Sequence, residues 1–199
     1  MTMLETLSAE VVACRACQVA GYLAQAHPIQ PTLIDEPRML LIGQAPGPVT
    51  DRKGYHFAGP AGRFLEIWFD RAGFPPRYFR EHVYLTSLTR CFPGKSPGGS
   101  GDRPPARAEI ALCRRFLDRE LDLIQPKVVL LLGKLAIDAF LEKRPLVETV
   151  GHVFEVDGRQ VLPLPHASGV SRWLNDPANR ARLDQALAEL GRLRAELSL

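Results

Sequence analysis

The sequence predicts an α/β fold with three layers, in which a central, mostly parallel four-stranded sheet lies between helices on both sides. Short apolar segments alternate along the chain with longer amphipathic ones, which is the order expected for strands joined by helices. The apolar segments have no polar face, as strands covered on both sides require. With 199 residues, of which 46% are hydrophobic, the chain has the size of one such domain, and we expect residues 1–199 to form it.

The strands are predicted where apolar runs lie between residues that break regular structure. The first run begins after Pro37 and ends at a Pro-Gly turn, and the third is the most apolar part of the chain. The last segment contains Asp157-Gly158, a pair that favours a hairpin or two paired strands. We expect these segments at residues 38–44, 82–89 and 127–132, and the last one as the two runs 153–156 and 160–164.

Helices are predicted where apolar residues recur at helical spacing and Gly or Pro follows. These segments are residues 3–13, 61–73, 106–124, 135–142 and 179–197. Residues 48–60 and 92–105 are rich in Gly and Pro, so we expect both to be loops and the second to be exposed and flexible.

Composition and charge exclude several classes of protein. The longest apolar run is far shorter than the roughly 20 residues that a membrane helix needs, so we expect no membrane partner. The first residues show no basic-then-apolar pattern of a secretion signal, so we expect a cytoplasmic protein, and a monomer is usual at this size. The net charge of +3, with many arginines in the middle of the chain, permits an anionic partner.

Four cysteines are present, and two of them form a C-x-x-C pair at Cys14 and Cys17. Cys91 and Cys113 lie far downstream. In a reducing compartment this set indicates a metal centre before disulfides. An iron–sulfur cluster accepts four thiolates at irregular spacing, whereas zinc prefers two tight pairs. A third possibility is that the downstream pair consists of buried free thiols.

Two loops at the predicted carboxyl ends of strands carry unusual residues. In a parallel sheet, ligands bind beyond those ends. The loop from Gly43 is dense in Gly and Pro, but it matches neither a P-loop nor a dinucleotide fingerprint. The loop after Pro163-Leu-Pro165 contains a single histidine, His166. A side chain in such a loop is not needed to fill the hydrophobic core. Both loops are therefore candidates for a binding site.

Several segments together resemble the uracil-DNA glycosylase superfamily, in particular its iron–sulfur branch, families 4 and 5. The first loop is similar to the motif G-E-A-P-G followed by D-x-x-G-x-x-F-x-G-x-A-G. The second strand is similar to Y-x-T-N-x-x-[KR]-C, the third to P-x-[IV]-[IV]-x-x-L-G, and the last loop to H-P-S. The matching stretches are Gly43–Gly47, Asp51–Gly62, Tyr84–Cys91, Pro126–Gly133 and His166–Ser168.

The resemblance implies a glycosylase fold and an enzyme of base-excision repair. Such an enzyme flips uracil or another deaminated base out of DNA and hydrolyses its N-glycosidic bond. Its partner would be DNA that contains such a base, and its place the cytoplasm, in association with the nucleoid. The resemblance also implies that a [4Fe-4S] cluster ties the N-terminal segment into the domain. The cluster ligands would be Cys14, Cys17, Cys91 and Cys113.

The resemblance further implies the roles of individual residues. His166 would stabilise the charge on the leaving base, and Phe57 would stack on it. Because Gln44 stands where family 4 has an acid, Asp51 becomes the candidate carboxylate for the sugar or the water, with Gln44 as a second group that positions water. The residues implied to bind the base are Gly43, Gln44, Ala45, Pro46, Gly47, Phe57, Ser87 and His166, and those implied to touch DNA are Ser168 and Arg172.

The departures from the family pattern leave two alternatives open. Ser87 stands in place of the Asn that reads the base edge, and Ala167 in place of the Pro of H-P-S. The protein could therefore be a non-catalytic iron–sulfur protein that binds DNA. It could also be a glycosylase with a shifted preference, for hypoxanthine, xanthine or a mismatched base. The branch that becomes covalently trapped on DNA uses a His after the second strand, and residues 92–105 contain none.

Overall fold

The structure is a computed structural model that describes residues 2–34, 36–98, 101–167 and 172–199. Within these residues one sheet is formed by the strands β1 (Met39–Gly43), β2 (Val83–Ser87), β3 (Val128–Leu132), β4 (Phe154–Val156) and β5 (Arg159–Leu164). Their order is β2-β1-β3-β5-β4. The strands β1, β2, β3 and β5 run parallel, whereas β4 pairs antiparallel with β5 at the edge.

The predicted mostly parallel sheet is confirmed, and it has five strands instead of four. The segment 153–164 contributes two of them, because Asp157 and Gly158 both have positive φ angles, 50° and 73°. Two such residues make the tight turn that matches the twist of paired strands.

The helices in the described residues cover both faces of the sheet. They are α1 (Met3–Ala13), α2 (Ala16–Val19), α3 (Pro48–Lys53), α4 (Pro60–Arg71), α5 (Tyr78–Glu81), α6 (Arg107–Ile124), α7 (Lys134–Phe140), α8 (Leu146–Thr149) and α9 (Pro177–Leu197), with a 3₁₀ helix at Arg172–Asn175. On one face α4 and α9 pack on the apolar side chains of the strands, and on the other α6 and α7 do so. The predicted three-layer arrangement is confirmed. None of these helices is both long enough and apolar enough to cross a membrane.

The prediction of a loop at residues 48–60 is wrong, because α3 lies there. Pro48 occupies the first helical position, where its missing N–H costs nothing. A helix of six residues is shorter than two turns, so it leaves no apolar periodicity in the sequence.

The N-terminal segment is attached to the long helix α6. Leu7 and Val11 on α1 pack against Phe116 on α6, and all three are almost fully buried. Glu10 and Arg119 form an ion pair between the same two helices. This packing places the end of α1, and with it the C-x-x-C pair, beside α6.

The parallel register brings the carboxyl ends of four strands to one edge of the sheet. Gly43 at the end of β1 is paired with Ser87 at the end of β2. Leu132 at the end of β3 is paired with Leu164 at the end of β5. The loops that follow these residues therefore meet at one place.

Candidate functional site

A cavity of about 480 Å³ lies at this edge of the sheet. This volume is in the range of small-molecule sites and is ample for a single base. The cavity brings together all the side chains and backbone that the sequence predicted for base binding. These are Gly43, Gln44, Ala45, Pro46, Gly47, Phe57, Ser87 and His166.

Two other predicted residues, Asp51 and Arg172, are not among the described residues that line this cavity. Arg172 begins the 3₁₀ helix and is exposed outside it. Ser168 lies outside the described residues. Asp51 lies on α3, where Pro48, Val49 and Thr50 face the cavity and the helical rotation turns the next residue away. Its Oδ1 lies 3.8 Å from Nδ1 of His27 instead.

Phe57 is held in an unusual conformation by Arg80. Its φ angle is 54°, in the left-handed region that most residues avoid. The Arg80 guanidinium donates hydrogen bonds of 2.9 Å to the backbone oxygens of both His56 and Phe57. It also donates one of 3.0 Å to Glu66 on α4. This clamp fixes the backbone that carries the Phe57 ring.

Two glycines make room for Phe57. A Cβ on Gly43 would lie 3.0 Å from Cζ of the Phe57 ring, so the ring covers the end of β1. A Cβ on Gly62 would lie 2.0 Å from the backbone oxygen of Phe57, a distance that no real contact allows. On its other side the ring meets Phe79 edge-on, with 5.9 Å between the ring centres. These contacts explain physically why the pattern around Phe57 contains glycines.

Ser87 is buried at the end of β2, and its hydroxyl proton is already used. The hydroxyl donates a hydrogen bond of 2.7 Å to the backbone oxygen of Thr89. The oxygen atom therefore faces a ligand as an acceptor. The backbone oxygen of Ser87 accepts a hydrogen bond from Arg90, which fixes the end of the strand.

Arg90 and Glu120 form a buried ion pair behind the cavity. The Nη2–Oε2 distance is 2.7 Å, and the two side chains are 1% and 0% exposed. Thr86 donates a further hydrogen bond of 2.9 Å to the same carboxylate oxygen. Burial raises the pKa of Glu120, while the Arg90 charge opposes that shift. This pair joins the segment that follows β2 to α6.

His166 lies against the end of β3. A Cβ on Gly133 would lie 3.2 Å from Cδ2 of the imidazole, and Gly133 has a φ angle of 86°. The side chain is exposed at the cavity mouth, but the surrounding protein displaces enough water to lower the pKa of His166 below 6.5. The imidazole is therefore neutral near pH 7, with one N–H that can donate.

Sequence reasoning missed His56, which lines the cavity beside Phe57. Its side chain is 3% exposed, and Nε2 has no hydrogen-bond partner in the described structure. Burial, together with the nearby Arg90 charge, lowers the pKa of His56 to about 3. The histidine matched no part of the family pattern, so its position next to Phe57 was the sole signal in the sequence.

The segment 92–105, predicted as a flexible loop, contains a short hairpin. Lys95 and Asp102 form an antiparallel bridge. Backbone hydrogen bonds join Ser96 to Gly101 at 2.9 Å and Arg103 to Gly94 at 3.0 Å. Asp102 and Arg103 thereby reach the cavity, which the sequence did not predict. These pairings are made by backbone hydrogen bonds, so the Gly-rich segment 92–105 has no apolar pattern from which they could be predicted.

The four cysteines lie near one another. Cys14 follows α1, Cys17 lies in α2, Cys91 follows β2 and Cys113 lies in α6. All are free thiols, and Cys17, Cys91 and Cys113 are buried. Burial and the neighbouring thiols raise the pKa of Cys17 to about 11 and that of Cys91 to about 12. Arg115 on α6 lies 3.7 Å from Sγ of Cys14. The thiols are thus near enough to raise one another's pKa values, and the Arg115 guanidinium lies next to one of them.

The described residues contain no group of three or more His, Cys, Asp or Glu side chains spaced to hold one metal ion.

Comparison with known proteins extends the observations on the site. The family model of the uracil DNA glycosylase superfamily matches residues 31–191. A type-4 uracil-DNA glycosylase of Archaeoglobus fulgidus is 27% identical over 202 residues, which cover 97% of this chain and 94% of that protein. One of Thermotoga maritima is 26% identical over 92% of this chain and 90% of that protein. One of Sulfurisphaera tokodaii is 30% identical over 67% of this chain, although the match spans only 56% of that protein. Since the family model covers most of its length, the chain belongs to the uracil DNA glycosylase superfamily.

Proposed function

We propose that the chain is a uracil-DNA glycosylase, which removes uracil from DNA by hydrolysing the N-glycosidic bond. The observation that carries this proposal is that all eight residues predicted to bind the base line one cavity of about 480 Å³. Full-length relatives bearing the name type-4 uracil-DNA glycosylase support the same activity. The target base is turned out of the DNA stack into this cavity.

The cavity offers a flat apolar face and a polar edge to the flipped base. Phe57, fixed by Arg80 and Phe79, supplies the stacking face. Ser87 supplies an acceptor, because its proton is held by Thr89. Uracil presents an N3–H donor, whereas cytosine presents an acceptor at N3. Ser87 therefore accepts from uracil and discriminates against cytosine. Gln44 reaches the cavity from the first loop and serves the remaining polar edge.

His166 stabilises the leaving base. Negative charge develops on uracil O2 as the bond to the sugar breaks, and a positioned N–H donor lowers the energy of that state. The lowered pKa keeps His166 neutral at physiological pH. A neutral imidazole still donates one hydrogen bond.

We further propose that Cys14, Cys17, Cys91 and Cys113 hold a [4Fe-4S] cluster. Four free thiols that influence one another are the ligand set such a cluster needs. These four thiolates would hold the cluster, and its four irons would each take one of them. When bound, the cluster would supply a structural cross-link, which joins the N-terminal segment to α6 and to the end of the β2 strand.

The residues that contact DNA outside the cavity are proposed from their positions relative to the loop that carries His166. Arg172 is exposed just beyond the loop that carries His166, so we propose that it contacts a phosphate next to the flipped nucleotide. The contact of Ser168 with DNA stays a prediction. Catalysis by Gln44 and Asp51 also stays a prediction, as do a monomeric state, the cytoplasm as the location and association with the nucleoid.

A strand-cleavage assay tests the proposed function. Labelled duplexes that contain uracil, hypoxanthine or a thymine mismatch are incubated with the protein, and abasic sites are then cleaved with alkali. We expect cleavage at uracil and a loss of about 10²–10³-fold in rate for His166→Ala. Release of hypoxanthine alone would instead establish a shifted preference. Binding without release of any base would establish a non-catalytic DNA-binding protein.

A further inference from the structure

Hydrolysis needs a group that holds the attacking water, and the inference drawn here rests on the function proposed above. A carboxylate is suited to this task, because the sugar gains positive charge in the transition state and the water must lose a proton. Gln44 lines the cavity but carries no charge, and Asp51 faces His27 outside it. Neither position places a carboxylate in the cavity.

Asp102 is the single acidic residue among the described residues that line the cavity. It lies on the second arm of the hairpin between β2 and α6. A Cβ on Gly47 would lie 3.9 Å from Oδ2 of Asp102, so the carboxylate stands opposite the first loop of the cavity. Its side chain is 40% exposed, which places it at the mouth, where water enters.

The hairpin holds this carboxylate in a defined position. Lys95 donates a hydrogen bond of 2.6 Å to Oδ1, and Oδ2 is the oxygen that lies toward Gly47. The next residue, Arg103, is anchored to Glu109 on α6 by hydrogen bonds of 2.6 and 2.8 Å. Glu109 is almost fully buried, and the hydrogen bonds from Arg103 hold the pKa of Glu109 below its usual range. One oxygen of Asp102 is thus used for positioning and the other is presented to the cavity.

We propose that Asp102 is a catalytic residue whose Oδ2 orients the attacking water and accepts its proton. The water oxygen forms a bond to C1′ of the sugar while the bond from C1′ to N1 of uracil breaks. The electron pair of that bond leaves with uracil, whose O2 accepts a hydrogen bond from His166. The water proton passes to Asp102, and the uracil anion takes a proton from solvent. The products are an abasic site and free uracil.

The test is single-turnover kinetics of the purified full-length protein on a uracil duplex. Asp102→Asn keeps the shape of the side chain and removes the base, so the rate of uracil release falls by at least about 10²-fold. The dissociation constant for the same duplex stays equal or becomes smaller, because a negative charge near the DNA phosphates is lost. Asp102→Glu, which retains a carboxylate, recovers part of the rate. Asp118→Asn, a matched change at an exposed carboxylate paired with Arg114 on α6, leaves the rate at the wild-type value.

Three results would overturn the assignment of Asp102. The first is a wild-type rate in both Asp102→Asn and Asp51→Asn. The second is equal loss of DNA affinity, thermal stability and rate, which would make Asp102 a structural residue of the hairpin. The third is a slow Asp51→Asn variant beside an unaffected Asp102→Asn, which would return the role to Asp51. In each case the wild type still releases uracil. A wild type that releases none contradicts the proposed function itself.

Discussion

Replacing Gly62 with alanine tests whether the Arg80 clamp builds the base-stacking surface. The added Cβ would lie 2.0 Å from the Phe57 oxygen and 2.3 Å from Nη2 of Arg80. The carbonyl must therefore move by about an ångström or more, which breaks its hydrogen bond to the guanidinium. A hydrogen bond to a charged group contributes about 1.5–3 kcal/mol, and forced overpacking costs about 1–3 kcal/mol. We expect the free energy of unfolding to fall by about 2.5–6 kcal/mol, the sum of these two costs.

The assay is thermal unfolding followed by circular dichroism, together with uracil release under single-turnover conditions. For a chain of this size each kcal/mol corresponds to roughly 2–4 °C in Tm. Gly54→Ala is the matched control, because Gly54 has a φ angle of 75° and no atom within 4 Å of its would-be Cβ. This control bears only the backbone strain of about 1–2 kcal/mol. If Gly62→Ala unfolds at the same temperature as Gly54→Ala and releases uracil at the wild-type rate, the clamp does not position Phe57.

Three further predictions concern buried groups. Burial lowers the pKa of His56 from 6.5 to about 3. Below pH 6.5 this imidazole is therefore protonated in the unfolded chain but stays neutral in the folded chain. The free energy of unfolding should therefore fall by about 2 kcal/mol between pH 7.5 and pH 5 because of this histidine. In urea unfolding, the free energy of unfolding of His56→Phe should depend less on pH than that of the wild type, whereas the same change at exposed His152 should not have this effect. Glu120→Gln leaves Arg90 buried without a counter-charge and should cost about 3–5 kcal/mol in urea unfolding, against less than about 1 kcal/mol for the exposed pair tested by Asp118→Asn. Cys91→Ala should yield protein without brown colour or bound iron and with a lower Tm. Metal analysis that finds zinc and no iron in the anaerobically purified wild type would contradict the cluster.

The sequence was sufficient for the elements whose apolar pattern is long enough to read. The strand β3 and the helix α6 lie within a residue or two of their predicted positions, because burial on both faces or on one stripe dictates the residue types. The helix α3 and the hairpin at Lys95 and Asp102 were missed for the opposite reason. Both are short and consist mostly of Gly, Pro and polar residues, so they leave no apolar periodicity in the sequence.

The same division holds for the site. Residues at strand ends, such as Gly43, Ser87 and His166, were predictable because a parallel register forces those ends together. Asp51 was assigned to the cavity from its place in a motif, but the rotation of α3 turns it toward His27. Asp102 reaches the cavity from a segment with no apolar pattern at all. Which carboxylate faces the cavity is thus decided by local backbone geometry, which the spacing of residues in a sequence does not contain.

Arg90 connects the two functional parts of the molecule. Its side chain donates to the backbone of Ser87 in the cavity and pairs with Glu120 on α6, while its backbone N–H lies on the sulfur of Cys113. One residue therefore links the end of β2 at the cavity to α6 and to Cys113. If the cysteines hold the proposed cluster, it would restrain α6, which the buried Arg90–Glu120 pair joins to the segment that follows β2. The contact from Arg90 fixes the position of the Ser87 backbone at the cavity.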